Sequence, residues 1–316
     1  MDEKVFLEII QTNDEAQIIS GLRAAEEKGT IALIKSMIPL LKNPNRLIAR
    51  QALVSSANLI QKQLVASWET IEKNVKDGLV SLLKKLNPAI IDHIAKDLYS
   101  ENEEHRLRTL QVLGLLGADD KIKQVVSEML TDQDEKMRAT AVSVLKDMLG
   151  TRDVSLIYRV LHDPDPRVRA NGVEALEAAG NRTVVPTLTS LRKDPNNRVR
   201  GNVLKALYNM GFKKIEGDIK EMLEHKSKLM RATGGWLLGE LGVSKEELFF
   251  NFAGEYGLDR DSLVRQNMIK ALVRIDTEIS KKVCKYMFES DEIRKALTDM
   301  ERMKKIRGAK AATKTA

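Results

Sequence analysis

The run Asp163-Pro-Asp-Pro-Arg-Val-Arg-Ala-Asn-Gly-Val-Glu-Ala-Leu, closed by Gly180, decides the architecture because it returns 31 residues later. The second copy is Asp194-Pro-Asn-Asn-Arg-Val-Arg-Gly-Asn-Val-Leu-Lys-Ala-Leu, closed by Gly211. Working outward, Met230-Arg231 leads through Leu238 to Gly242, and Met137-Arg138 through Leu145 to Gly150. Looser copies run from Arg106 through Leu110 and Leu113 to Gly117, and from Val264-Arg265 through Ile269 and Leu272. Self-similarity at a fixed spacing is the mark of a stacked-repeat architecture.

Each copy reads as two helices. The first is short, with apolar residues at i, i+3, i+4 spacing over 122–130, 154–161, 184–191 and 215–223. The second begins after Asp-Pro or a similar break, where Asp can cap and Pro sets the turn. It stops at the glycine, which tolerates a left-handed cap. One such pair cannot bury its own apolar faces, whereas successive stacked pairs can.

The pattern Asp-Pro-x-x-x-Val-Arg, followed by Ala-Leu and a closing glycine, resembles HEAT repeats, in particular the short variety seen in phycobilin-lyase-like proteins. The resemblance implies an all-α, right-handed α-α superhelix of about eight helix pairs, best defined over residues 88–275. It also implies that the second helices line the concave side. Residues 1–29 read as a capping helix pair with Asn13-Asp14 between its helices, and 30–290 as the repeat array. In the degenerate repeat over 31–86, Asn43-Pro44 replaces Asp-Pro and a long helix is expected over 68–86. Residues 291–316 read as a closing helix and a basic tail, disordered after Ile306.

Composition narrows the function classes. The chain has 316 residues, 4% of them aromatic, which disfavours an all-β reading. With one cysteine, Cys284, there is no internal disulfide and no Cys₂ or Cys₄ metal site. No apolar run is long enough to span a membrane, even residues 31–41 being interrupted by Lys35, and the start does not read as a signal peptide. A cytoplasmic protein is expected. Of the net charge of +7, residues 301–316 hold +5, from six basic side chains against Glu301. The first 300 residues are left with +2, less than a nucleic-acid groove usually carries.

Three constellations stand out. Asp132, Asp163, Asp194 and Asp259 each precede an arginine by six residues: Arg138, Arg169, Arg200 and Arg265. Ser100/Arg106 and His225/Arg231 keep the register without the acid. The resemblance implies a structural ladder bonding neighbouring repeats, and each Arg is read with its own acid. A second basic row, Lys136, Arg167 and Arg198, then Leu229, has no matching acids in sequence and is expected to reach solvent. Trp236 shares its register with Ser143, Glu174, Lys205 and approximately Lys270, beside core registers holding Val142, Val173, Leu204 and Leu145, Leu176, Leu207, Leu238. With Leu229 seven residues earlier and Tyr208 one repeat back, it reads as an outward apolar group of hot-spot type. The competing reading folds the indole over a hollow left by Gly234, Gly235 and Gly239.

Catalytic signals are weak. The four histidines, His93, His105, His162 and His225, fall at different registers. No His-Glu pair of the kind HEAT-type di-iron hydroxylases use is present, nor a P-loop, HExxH or GxSxG motif. No catalytic residue, metal or cofactor is assigned, and Cys284 reads as core. The expectation is a non-enzymatic protein-interaction scaffold, with Tyr208, Leu229 and Trp236 as anchors and Lys136, Arg167, Arg198 and Lys205 as a rim suited to an acidic partner. The basic tail (Lys304, Lys305, Arg307, Lys310, Lys314) is read as an anion-binding tether. The alternatives are a nucleic-acid-binding protein, including a DNA-repair glycosylase-like one, and an accessory lyase or chaperone for a cofactor-bearing protein.

Overall fold

The computed structural model describes residues 1–86, 90–149, 154–241 and 246–311. Among them every regular element is helical, as the repeat requires, and no helix is long and apolar enough to cross a membrane. The chain forms two compact units, residues 1–148 and 149–316.

In the first unit the helices Glu3–Ile10 and Glu15–Lys28 form the opening pair, and Asp14 caps the second by accepting from Ala16 and Gln17 N–H. The long helix expected over 68–86 lies elsewhere. The 21-residue helix is Arg46–Ala66, and the chain turns before Lys73–Leu86. Ser67 closes the earlier helix through a bond to the Gln63 carbonyl, and the Thr70 hydroxyl caps the Ser67 carbonyl, so the apolar pattern after Trp68 belongs to a new element. Glu103–Leu116 and Glu135–Lys146 are the second helices of the next two repeats.

In the second unit Pro166–Ala179, Asn197–Asn209, Lys228–Leu241 and Ser262–Ile275 stand at the repeat spacing. Their first-helix partners are short, and two of the described ones pass into or out of 3₁₀ turns. Val173, Leu204 and Leu176, Leu207, Leu238 are buried in the registers the sequence assigns to the core. Gly180 adopts φ +67° and closes the Pro166–Ala179 helix from the left-handed region, where a side chain would be strained. Gly150 and Gly242 lie outside the described residues.

Two local expectations change. The cap of the second helix is not the Asp of Asp-Pro but the residue two further on: Asp134, Asp165, Asn196 or Asp261. The first Asp instead accepts from that residue's own N–H at 2.8 Å, as Asp163 does from Asp165 and Asp194 from Asn196, a local turn that sets up the cap. The closing helix Ser290–Ala311 also runs past Ile306. Ala, Lys and Arg are strong helix formers, and extending an existing helix needs no new nucleus. Lys304, Lys305, Arg307 and Lys310 thus fall on helical backbone, and Lys314 lies outside the described residues.

Candidate functional site: the exposed face of the second helices

The ladder fixes how the second helices are spaced. Arg138, Arg169, Arg200, Arg231 and Arg265 each turn back to a backbone carbonyl at the start of their own repeat's second helix. Arg169 Nη1 donates to the Asp163 and Pro164 carbonyls at 2.7 and 3.1 Å, and Arg231 does likewise to His225 and Lys226 at 2.9 and 3.1 Å. The rest of the guanidinium reaches forward one repeat. Arg169 holds Asp194 through two bonds of 2.9 and 3.0 Å, and Arg231 holds Asp259 through 2.6 and 3.1 Å. Such planar two-point pairing is what arginine does best. The reading that gave each Arg its own acid is therefore corrected by one repeat, because helix stacking brings the following loop to the arginine fork.

The forward acid is not always an aspartate. His225 occupies the acid position facing Arg200, keeps the local turn by accepting from Ser227 N–H, and leaves Arg200 to bond Glu221 at 3.1 Å. Arg265 likewise takes Glu292 of the closing helix at 2.9 Å. Burial pushes the Asp259 carboxyl up, but the bonds from Arg231 and from Asp261 N–H, together with the charges of Arg231 and Arg260, outweigh it and hold the group below the usual carboxylate range. Arg231 is correspondingly raised by its bond to Asp259.

The second basic row is not free of acids either. Arg167 pairs with its own cap Asp165 at 2.9 Å, Arg198 with Glu174 at 3.1 Å, and Lys136 approaches Glu103 at 4.0 Å. Lys205 pairs with Glu177 at 3.0 Å. Their acids stand on the preceding repeat or in the cap, positions a same-register search does not visit. The row projects into solvent as compensated pairs, not as a stripe of unneutralised charge.

The apolar group divides. Leu229 is 51% exposed. Tyr208 is only 7% exposed: it joins the core of Leu204, Ile215 and Leu241, and the Lys213 ammonium caps its ring face at 3.4 Å. Its outward assignment is wrong because Asn197–Asn209 is covered on both flanks, which widens its buried arc beyond one apolar stripe. Trp236 is half-buried and packs on the edge of the same core. The glycine beneath its ring is Gly201 on the neighbouring helix, not Gly234, Gly235 or Gly239. A Cβ at Gly201 would stand 3.3 Å from Trp236 Cζ3 and 2.5 Å from Thr233 Cγ2. Gly234 faces Leu223, and Gly239 lies against Ala271.

Beside the indole opens a groove of about 620 Å³, walled by the helices Lys228–Leu241, Ser262–Ile275 and Ser290–Ala311. Trp236, Ala271 and Val273 give it apolar surface. Its charged rim is paired across repeats, Lys270 to Asp299 at 3.1 Å and Arg274 to Glu240. Asn267 donates to the Ala232 carbonyl at 2.8 Å and locks two of the walls together. The sequence reading missed this groove, since Asp299 and Met300 come from a helix outside the repeat pattern. Among the described residues no group of three His, Cys, Asp or Glu side chains is arranged to hold a metal ion.

Residues 154–216 match the family model for HEAT repeats, the stretch that contains both copies of the Asp-Pro-x-x-x-Val-Arg run. No curated protein matches the chain. Among solved structures, the X-ray structure of the E. coli protein YibA is 17% identical, with 92% of this chain and 98% of that one covered and a TM-score of 0.47. The complex of CpcE and CpcF of phycocyanin lyase from Nostoc sp. PCC7120 is 15% identical over 77% of this chain and 94% of that one, with a TM-score of 0.40. A mutant of Kap121p is 14% identical over 93% of this chain and 36% of that one, with a TM-score of 0.46. Likeness at this level does not bear on function.

Proposed function

We propose that the protein is a non-enzymatic scaffold that docks a partner protein on the exposed face of the second helices in its second unit, over Leu229, Trp236 and the adjoining groove. The observation that carries this reading is Trp236 itself. In the neighbouring repeats its register holds Glu174, Lys205 and Lys270, each engaged in an ion pair, whereas here an indole floors an open groove. A large amphipathic ring beside compensated charges is the composition of an interface centre with a polar rim. Leu229 extends the apolar surface two turns along the same helix. The nucleic-acid reading loses its main support, because the basic row that would meet phosphates already has carboxylate partners.

The test is capture of partners from a lysate by the wild-type chain and by Leu229→Lys, with quantitative mass spectrometry and then titration of the protein recovered. A partner bound at least tenfold more weakly by the variant supports the reading. Identical capture profiles would remove it.

A further inference from the structure

The first unit carries its own departure from the repeat pattern, on the helix Arg46–Ala66. Counted from the caps Asn45, Asp165 and Asn196, the second residue is Leu47 where the other two helices have Arg167 and Arg198. The ninth is Val54, where they have Glu174 and Lys205. Leu47 is 57% exposed and Val54 40%. These are the registers of Leu229 and Trp236, so the same two positions turn apolar twice in the chain. Leu47 and Val54 share one helix face and stand about 10.5 Å apart along its axis.

The charge around this pair is unlike that of the second unit. Arg50 stands between the two apolar residues and Arg46 one turn before it, while Arg23, on the adjoining helix Glu15–Lys28, holds the register of Val54. All three are exposed, and among the described residues none of the three guanidinium groups makes a hydrogen bond or ion pair. Arg167 and Arg198, by contrast, each meet a carboxylate. The acids of the adjoining helix are turned to neutral groups: Glu15 accepts from the Asn45 amide at 2.6 Å, and Glu26 from Ser55 and Asn58 at 2.9 and 2.7 Å. Nor is this the structural ladder, whose register, held elsewhere by Arg169 and Arg200, is Ala49 here. Arg46 and Arg50 also open a helix with no acidic residue in its first turn, the end at which the backbone dipole opposes a cation. Helix stability does not account for arginines at these positions.

We propose that this face docks an acidic amphipathic helix of a partner protein, with two of its apolar side chains on Leu47 and Val54 and its carboxylates on Arg23, Arg46 and Arg50. Guanidinium groups without acids of their own offer planar two-point recognition of carboxylates. An apolar pair at two-turn spacing is met by a helix that presents its own residues at i and i+7. A phosphate backbone would engage the arginines and leave Leu47 and Val54 without a contact. The face lies in the first unit and does not rest on the docking assigned to Leu229 and Trp236.

The experiment is selection of a displayed library of short random peptides on the full chain, depleted on the Leu47→Ser/Arg50→Gln double variant, then titration of the most enriched peptide. Enriched sequences should carry apolar residues at i and i+7 among Asp and Glu. Leu47→Ser and Arg50→Gln, both at exposed positions, should each keep the wild-type melting temperature and weaken the peptide at least tenfold, while Leu229→Lys should leave its affinity unchanged. The proposal is overturned if no peptide distinguishes wild type from the double variant, or if the enriched sequences lack acidic residues. Affinity that falls in Arg50→Gln but not in Leu47→Ser would reduce the effect to diffuse attraction and overturn it as well. Equal loss in Leu229→Lys would move the peptide to the other face, with the same consequence. Duplex DNA that displaces the peptide, and whose own binding ignores Leu47→Ser, would assign the arginines to phosphates instead.

Discussion

Arg169 holds the carboxylate of Asp194, twenty-five residues along the chain and one repeat on, while from its own Asp163 it takes only the backbone carbonyl. One guanidinium thereby ties a loop to the start of its own helix and clamps the next loop against it. The same fork recurs at Arg231, so the repeats are indexed to one another by charge-assisted bonds as well as by apolar packing. A solenoid held by nearest-neighbour contacts gains a fixed offset from such a clamp.

A double-mutant cycle distinguishes the two pairings. Arg169→Ala and Asp194→Ala should couple by about 1–3 kcal/mol, since removing either strands a largely buried charge. Arg200→Ala and Asp194→Ala should show little coupling, because Arg200 meets only the Asp194 carbonyl, which the alanine retains. Urea midpoints of the three single and two double variants provide the numbers, and larger coupling for the Arg200 pair would refute the forward pairing.

Asp259 makes the clamp sensitive to acid. Its carboxyl is held below the ordinary range in the folded state despite burial, so the unfolded chain binds a proton there more readily. The resulting stability is fully present above the unfolded value of about 3.9 and is lost as pH falls through the folded value. Asp259→Asn keeps an acceptor for Asp261 N–H but has no charge for Arg231. Wild type should exceed the variant by about 1–3 kcal/mol near pH 7, with the gap closing progressively below about pH 4. A gap that is constant from pH 7 to 2.5 in denaturant titrations would sink this account.

Gly201 sets the approach of two helices. An added Cβ would lie 2.5 Å from Thr233 Cγ2, so Gly201→Ala should destabilise by about 1–3 kcal/mol even after the helix-propensity gain. Gly78, inside Lys73–Leu86, has open space around the same position. Gly78→Ala should stabilise by about 0.5–1 kcal/mol. Thermal melts of the two single variants moving in the same direction would contradict the close packing assigned to Gly201.

The core registers were legible because a constant 31-residue offset superposes Val173 on Leu204 and Leu176 on Leu207 without any knowledge of contacts. The pairing of the ladder was not. An acid six residues before an arginine and one twenty-five residues after it lie in the same two registers, and only stacking decides which carboxylate arrives. Tyr208 failed for a related reason. Periodicity assigns one apolar stripe to a helix, whereas a helix flanked on both sides buries a wider arc, and Lys213 closes over the ring from outside the repeat. The groove beside Trp236 depends on Asp299 and Met300, which no register relates to the indole.

Trp236 and Leu229 should separate stability from binding. The indole lies against Gly201 and packs on the edge of a buried cluster, so Trp236→Ala removes core contacts as well as exposed surface. A half-buried aromatic truncated to alanine should lower stability by about 1–3 kcal/mol, less than the loss at a fully buried site. Leu229 makes its exposure its main property, and Leu229→Ala or Leu229→Lys should stay within about 0.5 kcal/mol of wild type. Partner binding should respond differently. Leu229→Lys keeps the fold but sets a charge on the docking face, so affinity should fall at least tenfold with the melting temperature unchanged. Trp236→Phe, which retains a ring over Gly201, should retain most of the stability and lose part of the affinity. Melting curves and titrations on the same four variants decide the matter: if Trp236→Ala melts with wild type, the indole is not seated on the core edge, and if Leu229→Lys binds as wild type does, the partner docks elsewhere.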